Sequence, residues 1–416
     1  MMERLISLLG LVVFVGIAYA FSHNRPAVRW RPVLWGIALQ LILALFILKT
    51  PVGLAVFQFL GNLVNRFLDF SDAGASFVFG ENFKDFFFAF KVLPTVIFFS
   101  AFIGILYHYG LLPRLVQGLA GLMMRTMRTS ATESLSAAAN IFIGHTEAPL
   151  VVKPYVSSMT LSELHAVMTG GFATIAGSVL AVFISFGVPA EHLIAASIMS
   201  APAGLAISKL LYPETAESPT AGKVNIEVKR DSVNVIDAIT IGALDGLKMA
   251  LNIGAMLIAF LALLAAVNAL IGWIGSLIGI PSLSLELIFS YLLAPVAWLM
   301  GVPWADCGQV GILLGKKTIL NEFIAYLDLQ QLIEGISTVP GGSTAETPVP
   351  ISERAILIST YALCGFANIG AIGIQIGGIG AIAPGRRQDL ARLGVRAMIG
   401  GSLACFMTAC IAGMLL

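Results

Sequence analysis

The chain is 416 residues long, 58% hydrophobic and only 11% charged, with a mean hydropathy of +0.91. A soluble domain carries about 25% charged residues to cover its surface, so this composition rules out a water-soluble fold and makes lipid the solvent. A net charge of +1 argues against a nucleic-acid partner, and the four cysteines, Cys307, Cys364, Cys405 and Cys410, show neither CxxC nor Cys/His metal spacing.

A transmembrane helix needs about 20 mostly apolar residues. Eight stretches are predicted to span: Leu5 to Ser22, Val33 to Leu48, Val92 to Leu112, Leu164 to Val188, Leu193 to Ser208, Met249 to Leu285, Ala355 to Gly385 and Ala397 to Leu416. The first lacks a basic n-region followed by a small-residue cleavage site, so it is expected to be a retained span. Arg25, Arg29 and Arg31 follow the first span, and Arg114, Arg125 and Arg128 follow the third. By the positive-inside rule both loops are cytoplasmic. The polar stretch Tyr212 to Val233, with Lys223, Lys229 and Arg230, belongs on the same side, as do Arg386, Arg387, Arg392 and Arg396. Both termini then face outward.

Two segments do not read as simple spans: Ser130 to Val156, containing GHTEAP, and Ala305 to Leu329, containing LNEFIAY. If each crossed the membrane, the basic loops would fall on inconsistent sides. Hairpins that enter and return are therefore expected, with tips at Gly144 to Glu147 and Leu320 to Phe323. Behind the first come Ser162 and Glu163 and then GFATIAG (Gly171 to Gly177); behind the second come Ser352 and Glu353 and then GFANIGA (Gly365 to Ala371). The two heptads mark an inverted repeat, an arrangement that places substrate near the bilayer midplane, where helices break.

A carboxylate in the bilayer interior is costly, which makes Glu147 and Glu322 candidate functional groups. The bland alternatives are a turn-stabilising pair of Glu147 with Lys153, and an ion pair of Glu322 with Lys316 or Lys317. Thr174 and Asn368 are matched positions of the repeat that ligate an ion, bind substrate or bond a neighbouring helix. Phe366 either floors the site or packs, as its partner Phe172 does. Asp306 reads as a solvated helix-start carboxylate and Asp245 with Lys248 as a neutralising i, i+3 pair. His145 is the lone histidine at a hairpin tip, free to donate and accept hydrogen bonds or to titrate, while His23, His108, His165 and His192 fall near membrane boundaries. No GxSxG, HExxH or paired-aspartate motif supports an enzyme, and a closed two-hairpin site argues against a channel.

GHTEAPLVVKPYV, LNEFIAY, YALCGFANIG and APGRR, in this order and at these separations, resemble the concentrative nucleoside transporter family over nearly the whole chain. The resemblance implies an all-α polytopic fold of eight transmembrane helices plus two re-entrant hairpins in inverted repeats. It implies a homotrimer in the inner (plasma) membrane, in contact with lipid, that works as an elevator. Residues 1–129 would be N-terminal scaffold helices, 130–211 the first transport-domain half, 212–236 a cytoplasmic linker, 237–304 a long scaffold helix with an extracellular helix, and 305–416 the second half. His145, Thr146, Glu147 and Val179 would meet the nucleobase; Glu322, Phe366 and Asn368 would hold or border the ribose. Asn140 and Thr174, with the backbone carbonyls of Ile143 and Ile175, would bind sodium, the coupling ion, with a proton as the alternative and no other cofactor. Two departures stand out: His145 replaces a usual glutamine, and Ala371 replaces a serine that commonly contacts ribose.

Overall fold

The computed structural model describes residues 2–220, 232–280, 282–334 and 351–416; the linker residues Lys223, Lys229 and Arg230 lie outside them. Among the described residues the regular structure is helical. The first half contains α1 (Met2–Ala20), α2 (Trp30–Lys49), α3 (Pro51–Asp69), α4 (Ser71–Phe79), α5 (Leu93–His108), α6 (Leu111–Met127), α7 (Ala131–Asn140), α8 (Leu161–Ala173), α9 (Gly177–Ser185) and α10 (Ala190–Leu211). The second contains α11 (Val235–Leu277), α12 (Leu285–Leu292), α13 (Ala294–Leu299), α14 (Cys307–Ile319), α15 (Glu322–Ile333), α16 (Glu353–Leu363), α17 (Ile369–Ile382) and α18 (Arg387–Leu415). Seven helical runs among the described residues are long and apolar enough to cross a membrane. The expected span Ala355 to Gly385 is instead the pair α16 and α17, neither of which is long enough alone.

Helices α3, α4 and α6 went unanticipated, because they lie outside the apolar spans. In α6 the buried residues Leu112, Val116, Ala120, Met123 and Met127 recur at three- and four-residue spacing, the stripe of an amphipathic helix. In α3 the Thr50 hydroxyl caps the helix by accepting from Gly53 N at 3.0 Å. The long helix differs in extent from its expected start at Met249: it begins at Val235 and runs 43 residues, about 65 Å at 1.5 Å per residue, twice the hydrocarbon thickness. It packs along α5 at very close range. A Cβ added to Gly242 would stand 2.6 Å from the Ser100 carbonyl, and one on Gly246 would stand 2.7 Å from Ile97 Cα. Such small residues let helix backbones approach where no hydrophobic effect drives association.

Away from that pair, α8, α9, α10 and α18 form the most buried body of the molecule, with α1 packed on α18 and α2 on α10. Both hairpins form. The first descends through α7, turns at residues 141–147 and returns through the tight 3-10 segment Ala148–Ser158, whose Pro149 and Pro154 disfavour an α-helix. At its base Lys209 pairs with Glu133 at 2.6 Å. The second is α14 and α15, braced by Lys316, which pairs with Asp328 at 2.7 Å and Glu286 at 3.5 Å.

The two heptads of the repeat fall on the two helix breaks, between α8 and α9 and between α16 and α17. The breaks touch: Phe366 N donates to Thr174 O at 3.2 Å, and the Cys405 thiol lies 3.7 Å from Ala173 O and 3.2 Å from Cys364 O. A Cβ on Gly365 would stand 2.6 Å from Phe172 O, so only glycine permits this crossing. The Ser-Glu pairs in front of the heptads are not equivalent. Thr160, not Ser162, caps α8, with Glu163 closing a capping box, whereas Ser352 itself caps α16.

Candidate substrate site between the two hairpins

At the first tip, Gly144 O accepts from Glu147 N at 3.1 Å and from Ala148 N at 2.9 Å, closing the turn. That turn presents His145, Thr146 and Glu147 to a central cavity, with Glu147 exposed to it. The His145 ring sits 4.7 Å from the Phe366 ring at 60°, and neither of its nitrogens has a protein partner. His145 is half-buried but both its nitrogens are enclosed, an arrangement that is costly unless a ligand or water meets them.

At the second tip, Asn321 caps α15 by accepting from Ile324 N at 3.0 Å, which places Glu322 at the first position of the helix, 5% exposed. Its carboxylate accepts from Asn368 Nδ2 at 3.2 Å. The other end of that amide, Asn368 Oδ1, accepts from Ala371 N at 2.8 Å and so caps α17. One asparagine thus fixes both the start of a broken helix and the orientation of the buried carboxylate. Behind the tip, Phe323 meets Phe88, Phe183 and Phe186 edge-on, closing the site with aromatic surface.

Neither of the expected ion pairs forms. Lys153 makes no ion pair with Glu147 among the described residues; Lys316 serves Asp328 and Glu286, and Lys317 donates to Ala362 O at 2.8 Å. Asp306 is a correction: it is buried and accepts from the Ser352 hydroxyl at 2.6 Å and Ser352 N at 3.2 Å, joining the start of the second hairpin to the cap of α16. His165, expected at a boundary, is fully buried beside the Ser208 hydroxyl. Asp245 and Lys248 do pair, at 3.8 Å.

The cavity measures about 1480 Å³ and is lined by His145, Thr146, Glu147, Val179, Glu322, Phe366 and Asn368 together. It also reaches Lys153, Tyr155 and Ser232, toward the face that the basic loops make cytoplasmic. Asn321, Phe323 and Ser178 line it as well and were not singled out from the sequence. An asparagine directly before a glutamate in LNEF is an N-cap signal and could have exposed Asn321.

Of the four residues implied for sodium, Ile143 borders the cavity while Asn140, Thr174 and Ile175 are buried beside it. Asn140 Nδ2 donates to Ser136 O at 3.0 Å, leaving the buried Oδ1 without a partner. Thr174 donates to Gly170 O at 2.9 Å and keeps its hydroxyl lone pairs. Among the described residues no donor reaches the carbonyls of Ile143 or Ile175. An orphaned amide oxygen with unclaimed carbonyls is the hard-oxygen chemistry an alkali cation requires.

Opposed hairpins, two broken helices in an inverted repeat and a midplane cavity define the architecture of a multi-pass secondary transporter. Family comparison agrees: residues 192–413 match the Na+ dependent nucleoside transporter C-terminus, 9–82 its N-terminus, and 89–190 a nucleoside recognition (Gate) model. The chain belongs to the Na+ dependent nucleoside transporter family, whose members are transporters and not enzymes. Human solute carrier family 28 member 3 is 49% identical over 99% of this chain and 60% of its own length. Human sodium/nucleoside cotransporter 1 is 47% identical over 99% of this chain and 64% of its own length. The chain thus spans about three fifths of these relatives. The solved structure of CNTnw in an inward-facing substrate-bound state is 40% identical with a TM-score of 0.91, covering 99% of this chain and 98% of that one. A variant of CNTnw in an outward-facing state scores 0.91 as well, at 40% identity, covering 100% of this chain and 98% of that one. Overall superposition therefore does not distinguish the two states.

Proposed function

We propose that the chain is a sodium-coupled symporter that imports nucleosides across the inner (plasma) membrane by an elevator movement. The observation that carries this reading is the Glu322–Asn368 hydrogen bond, which joins a hairpin tip to a helix break beside an unpartnered His145 in one cavity. A carboxylate held by one amide keeps lone pairs for the vicinal hydroxyls of a ribose. Phe366 offers its ring to the sugar, while His145, Thr146, Glu147 and Val179 read the base. Sodium at Asn140, Thr174, Ile143 and Ile175 would pin the first hairpin to the first helix break, because its ligands come from both. Its charge offsets the buried carboxylates, so ion and substrate binding reinforce each other.

For the elevator, α5 and α11 form the fixed frame, arranged as a homotrimer, and both hairpins travel with the broken helices. The packing of α1 on α18 and α2 on α10 supports carrying those two helices with the moving body, and so a different grouping from a scaffold of residues 1–129.

Uptake by purified protein in liposomes, with sodium and proton gradients imposed separately and purine and pyrimidine nucleosides supplied in turn, tests the reading. Accumulation driven by sodium alone is expected. Accumulation driven by protons alone would establish the proton-coupled alternative, and uptake that never exceeds equilibration would overturn symport.

A further inference from the structure

The long helix α11 carries two asparagines in its membrane-embedded part, and they are used differently. Asn268 is fully engaged: its Oδ1 accepts from Leu285 N at 2.9 Å and its Nδ2 donates to Glu286 at 2.8 Å, tying α12 to the frame. Asn252 lines the cavity and is exposed to it. An intramembrane carboxamide that faces a cavity marks a substrate path by its position. One turn away, Met249 receives the Ser178 hydroxyl at 3.1 Å, so this face of α11 fronts the helix that begins beside Val179.

Asp245 and Lys248 lie on the same cavity face toward the cytoplasmic end of α11, and they form an exposed pair at 3.8 Å with no net charge. Seven residues separate Asp245 from Asn252, two helical turns or about 10 Å along the axis. A carboxylate accepts from vicinal hydroxyls, a carboxamide offers one donor edge and one acceptor edge to a heterocycle, and a neutral pair suits an uncharged ligand.

We propose that Asn252, Asp245 and Lys248 form a release subsite on the frame, which receives the nucleoside from the hairpins on its way to the cytoplasm. The subsite rests on the nucleoside-transport reading. It belongs to the frame and not to the moving body, so it meets substrate only when the cavity opens inward. Its effect is therefore confined to one side of the membrane.

The test compares KM for uridine and adenosine measured from the cytoplasmic face, in inside-out proteoliposomes, with KM from the outer face in right-side-out ones. Asn252→Leu is expected to raise the cytoplasmic KM at least threefold more than the outer KM, and Asn252→Gln to hold the wild-type ratio. Asn252→Ser replaces the leucine variant if the latter fails to fold. An unchanged ratio in the leucine or serine variant, or an equal rise on both faces, overturns the subsite. Absence of nucleoside uptake by the unaltered protein overturns the transport reading and the subsite with it, whereas an unchanged KM ratio in the variant, with uptake by the unaltered protein intact, overturns the subsite alone.

Discussion

The two hairpins enter from opposite faces, but they are built differently. The second is two true helices with a two-residue tip, its cap supplied by Asn321, its arms braced by Lys316 and Asp328, and its glutamate bonded to Asn368. The first has a longer irregular tip, a return arm of tight turns, and a histidine with both nitrogens unpaired. A rigid, pre-oriented carboxylate suits the part common to all nucleosides, the sugar. An adaptable tip suits the part that varies, the base.

Variants can break or sharpen this contrast. Glu322→Gln should lower concentrative uptake on the order of a hundredfold, since it removes a charged acceptor from a pre-organised site. Uptake within a few-fold of the unaltered protein, with normal assembly, would remove Glu322 from the ribose contact. Lys316→Met leaves Asp328 and Glu286 without their buried cation and should cost roughly 3 kcal/mol of stability. Thermal unfolding in detergent reads it, and co-replacement of both carboxylates by apolar residues should restore most of the loss. His145→Gln should reorder base preference by up to about tenfold, the value of one hydrogen bond, without loss of sodium dependence. An unchanged ranking across a nucleoside panel would separate the histidine from base reading. Ala371→Ser, the smallest change, should tighten ribonucleoside KM by roughly two- to tenfold, with little effect on analogues lacking the hydroxyl it meets.

Much of this architecture was legible in order along the chain. Apolar runs and basic loops marked the spans, and the failure of Ser130 to Val156 and Ala305 to Leu329 to fit the charge rule marked the hairpins. GFATIAG and GFANIGA marked the breaks, because small and polar residues at mid-span fit unwound backbone. The amphipathic α3 and α6 escaped because a search for continuous apolar runs is blind to a stripe on one face. Asp306 was misread because its partner, the Ser352 cap, lies 46 residues away. Asn252 drew no attention because, in sequence, an asparagine that faces a cavity looks the same as one that braces a neighbour, as Asn268 does.

The sequence by itself determined that Glu147 and Glu322 sit in the membrane on opposing hairpins, since the cost of burying charge and the rule for basic loops act locally and can be read locally. Only the tertiary structure decided what each meets: Asn368 for Glu322, the cavity and its own tip for Glu147, and for Lys316 and Lys317 partners other than Glu322. Those pairings join residues tens of positions apart. They depend on how close the helices pack, which the contact of Gly365 with Phe172 and of Gly242 with Ser100 controls and no local pattern encodes.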